Sequence, residues 1–556
     1  MPPRQVYGRR RNATQSFSWF ARTSPAKPTL KTTETNTTDE GAEDLVEKLG
    51  RLGLDNPVDS TTEGGINVGR KPLKAINGNT KLKDVEKHAQ DEIKPTVSKV
   101  REVDTKKALE IPSTLNTTSG ESSVDVEDAD SNRSRSQSLH SRYLCSDPVA
   151  RQGPTDYATY AETLEKHFNI AKIAEASYGE VYRLALKSSL PGFTAADESV
   201  LKILPLKLPP YEGEPSNIEI MSDIENVASE VRLLQRMTDI PGFTNFRDIR
   251  VLQGRPPAPI IKAWKAFNKA RPKGQKSLFP DPSRKTSYWE NQLWAVIEMQ
   301  DAGTDLEHAK LDDIWSVWDV FWGATLTLAK GEEAARFEHR DFHLGNICVL
   351  PTCQSVDDAS QRIRLRNQKL GFTALRVTVI DYTLSRAELS DPQDLDEEPR
   401  VAYLDLDKDS YLFEADSTEE YQYEIYRYMR GAVFLDDPLA NFKKRRRDAM
   451  RSGRTWRGYH PQSNIVWLHF ILHELLRHLE TIAATEDIAS SQFDTDNMVE
   501  IQQSRYSLSQ SLEKVSNLLH PRNFRKSGLH SAGDLVSLAL AEEWLEEADV
   551  INGVAI

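Results

Sequence analysis

The chain has 556 residues, 28% charged and 38% hydrophobic, with a formal net charge of −13. That length holds one large two-lobed domain plus additional sequence, and the acidic balance argues against a folded part that coats nucleic acid. No run approaches roughly eighteen apolar residues, no hydrophobic signal region opens the chain, and Cys145, Cys348 and Cys353 form neither a disulfide framework nor a paired zinc pattern, so a soluble intracellular protein is expected.

Residues 1–145 read as a disordered tail: rich in Ser, Thr, Asn and Lys, and almost without aromatics between Phe20 and Tyr143, they bury too little apolar surface to offset chain entropy. Arg9-Arg10-Arg11 beside Tyr7, Phe17, Trp19 and Phe20 reads as a short docking motif or as plain tail. Ser131–Ser138 reads as a phosphorylated or basic linker or, again, as plain tail. Leu45, Leu49 and Leu52 share a face, which predicts a short helix around Glu43–Leu54.

The folded part is expected from near Asp156. Phe168–Ala174 and Glu180–Leu184 predict two strands around a tight turn, where a kinase places its glycine-rich loop over the phosphates. The pattern G-x-G-x-x-G-x-V is only partly met, with Ala174, Ala176 and Gly179 at the glycine positions and Val181 at the valine. Alanine restricts φ, so phosphate contact through backbone N–H groups is expected to be weaker or differently shaped. Ile173, Ala174, Gly179 and Val181 are taken as nucleotide contacts. Glu198–Leu204 predicts a buried strand carrying one lysine, Lys202, at the position of the kinase V-A-I-K motif. A charge inside an apolar strand needs a partner, and Glu230 is the natural one. It lies on a helix that Ser222-Asp-Ile-Glu225 is expected to open as a capping box, with Ile224, Val227, Val231 and Leu234 on one face.

Two further strands are predicted, the second over Gln292–Met299. Residues 300–303 then form the hinge, with Gln300 and Ala302 reading the adenine through backbone groups and Met299 at the back of the pocket. A helix over Asp312–Lys330 is expected to support the next loop from below. In that loop, Arg336-Phe-Glu-His-Arg-Asp341-Phe-His-Leu-Gly-Asn346, an Asp and an Asn sit five apart behind His339-Arg340, fitting the kinase catalytic loop H-R-D-L-x-x-x-N except for Phe342. A phosphoryl acceptor hydroxyl needs a carboxylate beside it, and the metal on the nucleotide needs an amide oxygen close by; one tight loop supplies both. Downstream, the apolar strand Val379-Ile-Asp381 ends in an acid where kinases carry D-F-G, here Asp-Tyr-Thr383.

Gln354–Thr373 reads as an insertion between two short strands. The usual A-P-E is absent, and a run containing Asp394, Asp396, Glu397, Glu398, Asp405, Asp407 and Asp409 takes its place. Helices are predicted at Ser417–Met429, Ile465–Leu479 and Leu535–Leu545. Lys443–Arg447 reads as a nuclear-import signal, a DNA-phosphate contact or an inert loop, and Trp456–Leu468 is assigned to packing of the large lobe.

At Arg336–Asn346, Val379–Arg386 and Trp456–Leu468 the sequence resembles the haspin family of divergent Ser/Thr protein kinases. The phrases are Arg-Phe-Glu-His-Arg-Asp-x-His-x-Gly-Asn, Ile-Asp-Tyr-Thr-Leu-Ser-Arg and Tyr-His-Pro-x-Ser-Asn-x-x-Trp-Leu. Gly303–Glu307 and Tyr421–Met429 are also alike. The resemblance implies an α+β, bilobal protein-kinase-like fold over about 156–550, with an N-lobe at 156–299 and a C-lobe at 304–550. It also implies ATP and Mg²⁺ as cofactors, activity without activation-loop phosphorylation, and transfer to the third-position threonine of the histone H3 tail on mitotic chromosomes in the nucleus. Leu344 departs from the family's usual Trp.

Within that frame Asp341 orients the acceptor hydroxyl and takes its proton, Asn346 and Asp381 hold magnesium, and Lys202 holds the phosphates, anchored by Glu230. His343 stands near the transferred phosphate, either donating a hydrogen bond or serving only structurally. Asp305, Asp405, Asp407 and Asp409 are the candidates to meet a basic substrate tail, or are solvated loop acids. A monomer without membrane contact is expected, with residues 1–145 available to chromatin or cohesion-associated partners. A catalytically weak scaffold of the same fold is the alternative, supported by Ala174 and Ala176; a small-molecule kinase is disfavoured by the acidic peptide-type surface.

Overall fold

A computed structural model describes residues 153–552, except 177, 189–197, 208–219, 273–275, 352–367, 390–398, 409–410, 419 and 487–494; at 482–486, 495–501 and 552 it describes backbone only. The expected tail with its short helix and two motifs, the acids Asp394, Asp396, Glu397, Glu398 and Asp409, and most of the Gln354–Thr373 insertion fall outside the described residues.

The architecture is the α+β, two-lobed arrangement of a protein kinase. The smaller lobe is a six-stranded sheet in the order β1-β5-β6-β4-β3-β2. Its strands are Thr155–Asp156 (β1), Phe168–Glu175 (β2), Glu180–Leu186 (β3), Ser199–Pro205 (β4), Phe246–Gln253 (β5) and Leu293–Gln300 (β6). β6 explains why its sequence runs apolar without alternation. Side chains on a strand point alternately to the two faces, and here both faces are covered. Trp294 and Val296 enter a core with Tyr157, Tyr160, Leu164, Ile260 and Ala263, while Leu293, Ala295 and Ile297 join the larger core that includes Val227, Val231 and Leu234.

Those covering residues belong to three helices: α1 (Tyr157–His167), α2 (Ile224–Met237) and α3 (Ala258–Ala270). Neither α1 nor α3 is among the elements expected from the sequence. α1 follows directly on β1 and is capped by Asp156, whose Oδ1 accepts from the Thr159 amide at 2.8 Å. The capping box expected at Ser222–Glu225 does not form. Asp223, one residue on, holds the cap position and makes no side-chain cap bond.

In the larger lobe, α4 (Ile314–Ala335) is the central helix and is apolar nearly all round, as a helix buried on every side must be. It runs five residues past the expected end at Lys330, so that it delivers the chain straight into the catalytic loop. A small sheet β7-β8-β9, from Thr304–Asp305, Ile347–Pro351 and Leu375–Val379, lies beside it. Gly323 of α4 leaves room for β9, since a Cβ there would lie 2.9 Å from the Val377 side chain. The loop before β9 is anchored by the buried Asp319 carboxylate, which accepts from the amides of Gly371 (2.9 Å) and Thr373 (2.7 Å).

The strand pair Ala387–Glu388 (β10) and Val401–Ala402 (β11) precedes the helices α5 (Tyr411–Glu414), α6 (Gln422–Leu435), α7 (Arg446–Arg451), α8 (Gln462–Glu486), α9 (Thr495–Leu519), α10 (Phe524–Ser527), α11 (Ala532–Ala541) and α12 (Glu547–Asn552). α6 starts five residues later than expected and ends at Leu435 rather than Met429; α11 starts earlier than Leu535. Lys443–Arg447 is exposed, in the turn leading into α7 and its first residues. Among the described residues no helix is long and apolar enough to cross a membrane.

Candidate active site

The site forms where β4, α2, the loop after α4 and the end of β9 converge. Lys202 of β4 is 5% exposed, and its Nζ lies 2.5 Å from Glu230 Oε1 on α2 and 3.5 Å from Asp381 Oδ1. The partner that burial demands is therefore the one expected from the sequence, with a second carboxylate added. Burial alone would discharge the lysine, but Asp381 and Glu230 outweigh it and hold the ammonium charged.

Asp381 sits at φ +58, a left-handed backbone rare for a non-glycine residue. Two contacts from Thr383 support it: the hydroxyl donates to Asp381 Oδ1 at 2.5 Å and the amide at 3.2 Å. Burial would raise the Asp381 pKa, but the Lys202 ammonium and these hydrogen bonds keep it below the usual carboxylate range. Tyr382, in the place of the usual Phe, turns into the core. Its hydroxyl donates to the Val379 carbonyl at 3.0 Å and accepts from the Thr244 amide at 3.1 Å. The Asp-Tyr-Thr triplet thus locks its own strand end to β9 and to the smaller lobe.

Asp341 is buried in the catalytic loop. The Asn346 side-chain amide donates to its backbone carbonyl at 2.8 Å, which leaves Asn346 Oδ1 as the acceptor end. The Ile380 amide in turn bonds the Asn346 carbonyl at 3.0 Å, so Asn346 and Asp381 stand side by side. An amide oxygen and a carboxylate are hard oxygen donors, the set that suits magnesium. Tyr426 of α6 donates its hydroxyl to Asp341 Oδ1, a contact not anticipated from the sequence. Burial pushes the Asp341 carboxyl up, opposed by His343 and by the Tyr426 hydroxyl.

His343 Nε2 is 3.9 Å from Asp341 Oδ1, and Nδ1 is 3.6 Å from Glu307 Oε1. Burial would lower its pKa, but these two carboxylates dominate and it is pushed up to about 9. The Gly345 amide, 3.0 Å from Nδ1, favours an unprotonated nitrogen there. The buried Asp341 carboxylate and the partly exposed Glu307 carboxylate together outweigh one neutral amide bond and favour the cationic ring. Sequence pattern alone does not single out Glu307, although it closes the phrase Gly303–Glu307.

The Trp456–Leu468 segment, read as packing, reaches the catalytic loop directly. Asn464 Oδ1 accepts from the His339 amide (3.1 Å), and its Nδ2 donates to Glu332 Oε1 (2.8 Å) and to the Phe337 carbonyl (3.0 Å). Glu338, with no exposure, accepts from the His460 amide (2.6 Å), Ser463 Oγ (2.9 Å) and Arg340 Nε (3.1 Å). Backbone bonds of 2.9 Å in both directions join Glu338 to Arg386, so the chain after Asp-Tyr-Thr is tied back to the catalytic loop. His339 is buried and its pKa falls to about 4, which leaves a neutral ring whose Nε2 lies 3.1 Å from the Ile380 carbonyl.

The nucleotide side is less densely bonded. Val181 lies between Ala174 and Lys202 in the strand register. Ile173, Ala174 and Ala176 are half-buried, and the turn closes with Ala176 N donating to the Gly179 carbonyl at 2.8 Å. A Cβ on Gly179 would lie 3.1 Å from the Ile203 carbonyl oxygen, so glycine stands where the neighbouring strand leaves little room. Met299 is half-buried, and Gln300 is held by backbone and side-chain bonds to Asn245, both 3.0 Å. Ala302 is buried, and Gly303, at φ +94, would place a Cβ 2.3 Å from the Val349 carbonyl oxygen; only glycine fits.

The acids expected to meet the substrate lie on two segments, Asp305 in β7 and Asp405 and Asp407 after β11. Asp305 Oδ1 takes the His308 amide (3.1 Å) and Nδ1 (2.7 Å). Asp405 caps its own turn by accepting the Asp407 amide at 3.3 Å, and Asp407 is exposed. Asp409 is outside the described residues.

Comparison with known proteins places this geometry. The family description "Haspin like kinase domain" matches residues 89–535. The chain is 29% identical over 320 residues to the serine/threonine-protein kinase haspin homolog of Drosophila melanogaster, covering 56% of this chain and 49% of that protein. It is 27% identical over 370 residues to the serine/threonine-protein kinase haspin homolog hrk1 of Schizosaccharomyces pombe, covering 64% of each. With serine/threonine-protein kinase haspin of Bos taurus the identity is 27% over 331 residues, covering 59% of this chain and 37% of that one. The chain therefore spans less than two thirds of the length of these curated relatives.

Proposed function

Since this chain belongs to the haspin-like kinase family, matched over residues 89–535, we propose that it is an ATP-dependent serine/threonine protein kinase. We propose further that its substrate is the third-position threonine of the histone H3 tail during mitosis, in the nucleus and on chromosomes. The observation that carries the kinase reading is the contiguous polar set: Lys202 bonded to both Glu230 and Asp381, with Asp381 beside Asn346 and the Asn346 amide on Asp341.

The chemistry follows from those positions. Asp341 accepts the proton of the acceptor hydroxyl as that oxygen attacks the terminal phosphorus and the bridging oxygen leaves with the diphosphate. Lys202 neutralises the non-transferred phosphates, and the His343 imidazolium lies where negative charge accumulates on the transferred group. Asn346 and Asp381 would hold magnesium, which supplies further charge neutralisation when bound. The substrate reading is supported by the family and by the acids Asp305, Asp405 and Asp407; residues 1–145 are proposed to engage chromatin or cohesion-associated proteins.

The test is a transfer assay with magnesium-ATP and a histone H3 N-terminal peptide. Wild type is expected to phosphorylate the third-position threonine, and Asp341→Asn to lose about 10²–10⁴-fold in kcat while still binding nucleotide. Transfer to other proteins only would overturn the substrate. Neither transfer nor nucleotide binding would replace the enzyme with a kinase-fold scaffold.

A further inference from the structure

Glu175 and Glu180 end β2 and begin β3, and they face one another in the antiparallel register at the base of the turn that covers the phosphates. Like charges directly opposite repel and would splay the two strands. Lys172 resolves this from below. Its Nζ lies 2.5 Å from Glu175 Oε1 and also contacts Glu180 Oε2, with a side chain that has no exposure. Tyr182 adds a hydroxyl to Glu180 Oε2 at 3.2 Å.

The same ammonium reaches a second part of the chain. Ser277 Oγ is 3.1 Å from Lys172 Nζ and donates to Glu175 Oε1, and the Leu278 amide donates to Glu175 Oε2 at 3.1 Å. The rings of Phe267 and Trp264 on α3, and of Phe279 after it, stand 4.7, 5.9 and 5.5 Å from Nζ. A buried cation faced by aromatic rings and two carboxylates is a demanding arrangement, since each group left unpaired there carries a desolvation penalty. It joins both ends of the turn to each other and to α3.

We propose that Lys172 is a positioning residue for nucleotide binding, a staple that holds the turn between β2 and β3 in one conformation through Glu175, Glu180 and the Ser277–Leu278 segment. The inference rests on the kinase reading above for its consequence, though not for its geometry. Glycine-rich loops gain close phosphate contact from backbone freedom. Here alanine stands at 174 and 176, and a staple fixes the amides in place instead. Lys172 itself need not touch the nucleotide.

Hydrogen–deuterium exchange over residues 174–181 and magnesium-ADP affinity are measured on the full chain as wild type, Lys172→Met and Ser277→Ala. Lys172→Met is expected to speed exchange in that segment about tenfold or more, with α8 unaffected, and to weaken ADP about tenfold. Ser277→Ala should act in the same direction, about threefold, and this milder variant decides the matter if Lys172→Met does not fold. In turnover the loss should fall on KM for ATP rather than on kcat. Unchanged exchange in residues 174–181 in a folded variant overturns the staple. Faster exchange with unchanged ADP affinity overturns its role in binding. Wild type that binds no ADP instead overturns the kinase reading, while the exchange result still decides the staple.

Discussion

The catalytic loop and the phosphate-covering hairpin hold their functional groups in different ways. Around Asp341, side chains from α4, α6, the segment after β9 and the start of α8 converge on a few residues. Glu338 alone takes hydrogen bonds from His460, Ser463 and Arg340. The hairpin β2–β3 departs from the glycine pattern and is secured at its base by Lys172 and its two carboxylates. The catalytic side depends on side-chain atoms at fixed positions, so its residues cannot drift without losing buried hydrogen bonds. The hairpin presents backbone amides, which any residue supplies, so its side chains are free to vary wherever space and φ allow. Breaking each region in turn should separate these two kinds of constraint.

The largest expected effect comes from Asn464→Ala. The substitution strips partners from the His339 amide, the Phe337 carbonyl and Glu332 at once, all buried. We expect a stability loss of about 3 kcal/mol, read from the shift in urea midpoint, together with a drop in kcat that exceeds any change in nucleotide affinity. A pH signature accompanies it. Burial raises the Glu332 carboxyl to about 7, offset in part by Asn464 and the amides of Ala532 and Gly533. A raised carboxyl means the folded state binds more protons, so stability falls as pH rises from the unfolded value, 4.5, through about 7. Without Asn464 the fall extends to higher pH, and the gap between variant and wild type should widen above neutrality. A gap that is constant with pH would mean that Glu332 is satisfied in some other way.

A smaller effect concerns His343, whose pKa is raised from 6.5 to about 9. Its sign is the same as that of Glu332, since both groups bind their proton more tightly in the folded state, but its window lies at higher pH. The contribution to stability is complete below the unfolded value and is lost as pH rises through about 9. If the imidazolium serves the transferred phosphate, kcat should decline with the same midpoint, and His343→Gln should lower kcat and flatten that limb. A limb that persists in the variant would assign it elsewhere.

The contrast also explains what was legible in the sequence. Lys202, Glu230, Asp341, Asn346 and Asp381 were readable because phosphoryl transfer fixes residue type and spacing together. β4 and β6 were readable because burial on both faces writes a nearly continuous apolar run. Tyr426 and Asn464 were not readable as site residues, since a tyrosine on a helix and an asparagine at a helix start have many ordinary roles, and their contacts span 85 and 125 positions of chain. α3 was missed although Ile260, Ala263, Trp264 and Phe267 recur at i, i+3, i+4 and i+7, so its helical period was there to be read. The capping-box reading at Ser222 failed by one residue, a shift that element ends commonly show.

The smallest expected effect tests the hairpin. If fixed backbone amides rather than glycine flexibility serve the phosphates, restoring the pattern with Ala174→Gly and Ala176→Gly should not improve binding. We expect KM for ATP to change less than about threefold, with any change toward weaker binding, because glycine adds unfolded-state and loop entropy. Gly179→Ala is the counterpart. Its Cβ would press on the Ile203 carbonyl oxygen and Leu204 Cγ, both at 3.1 Å, and that backbone atom cannot swing aside as a side chain would. It should therefore raise KM by more than the double glycine variant changes it. If the two glycines instead lower KM substantially, the hairpin is limited by its alanines, and the difference between the two regions is one of impairment rather than of construction.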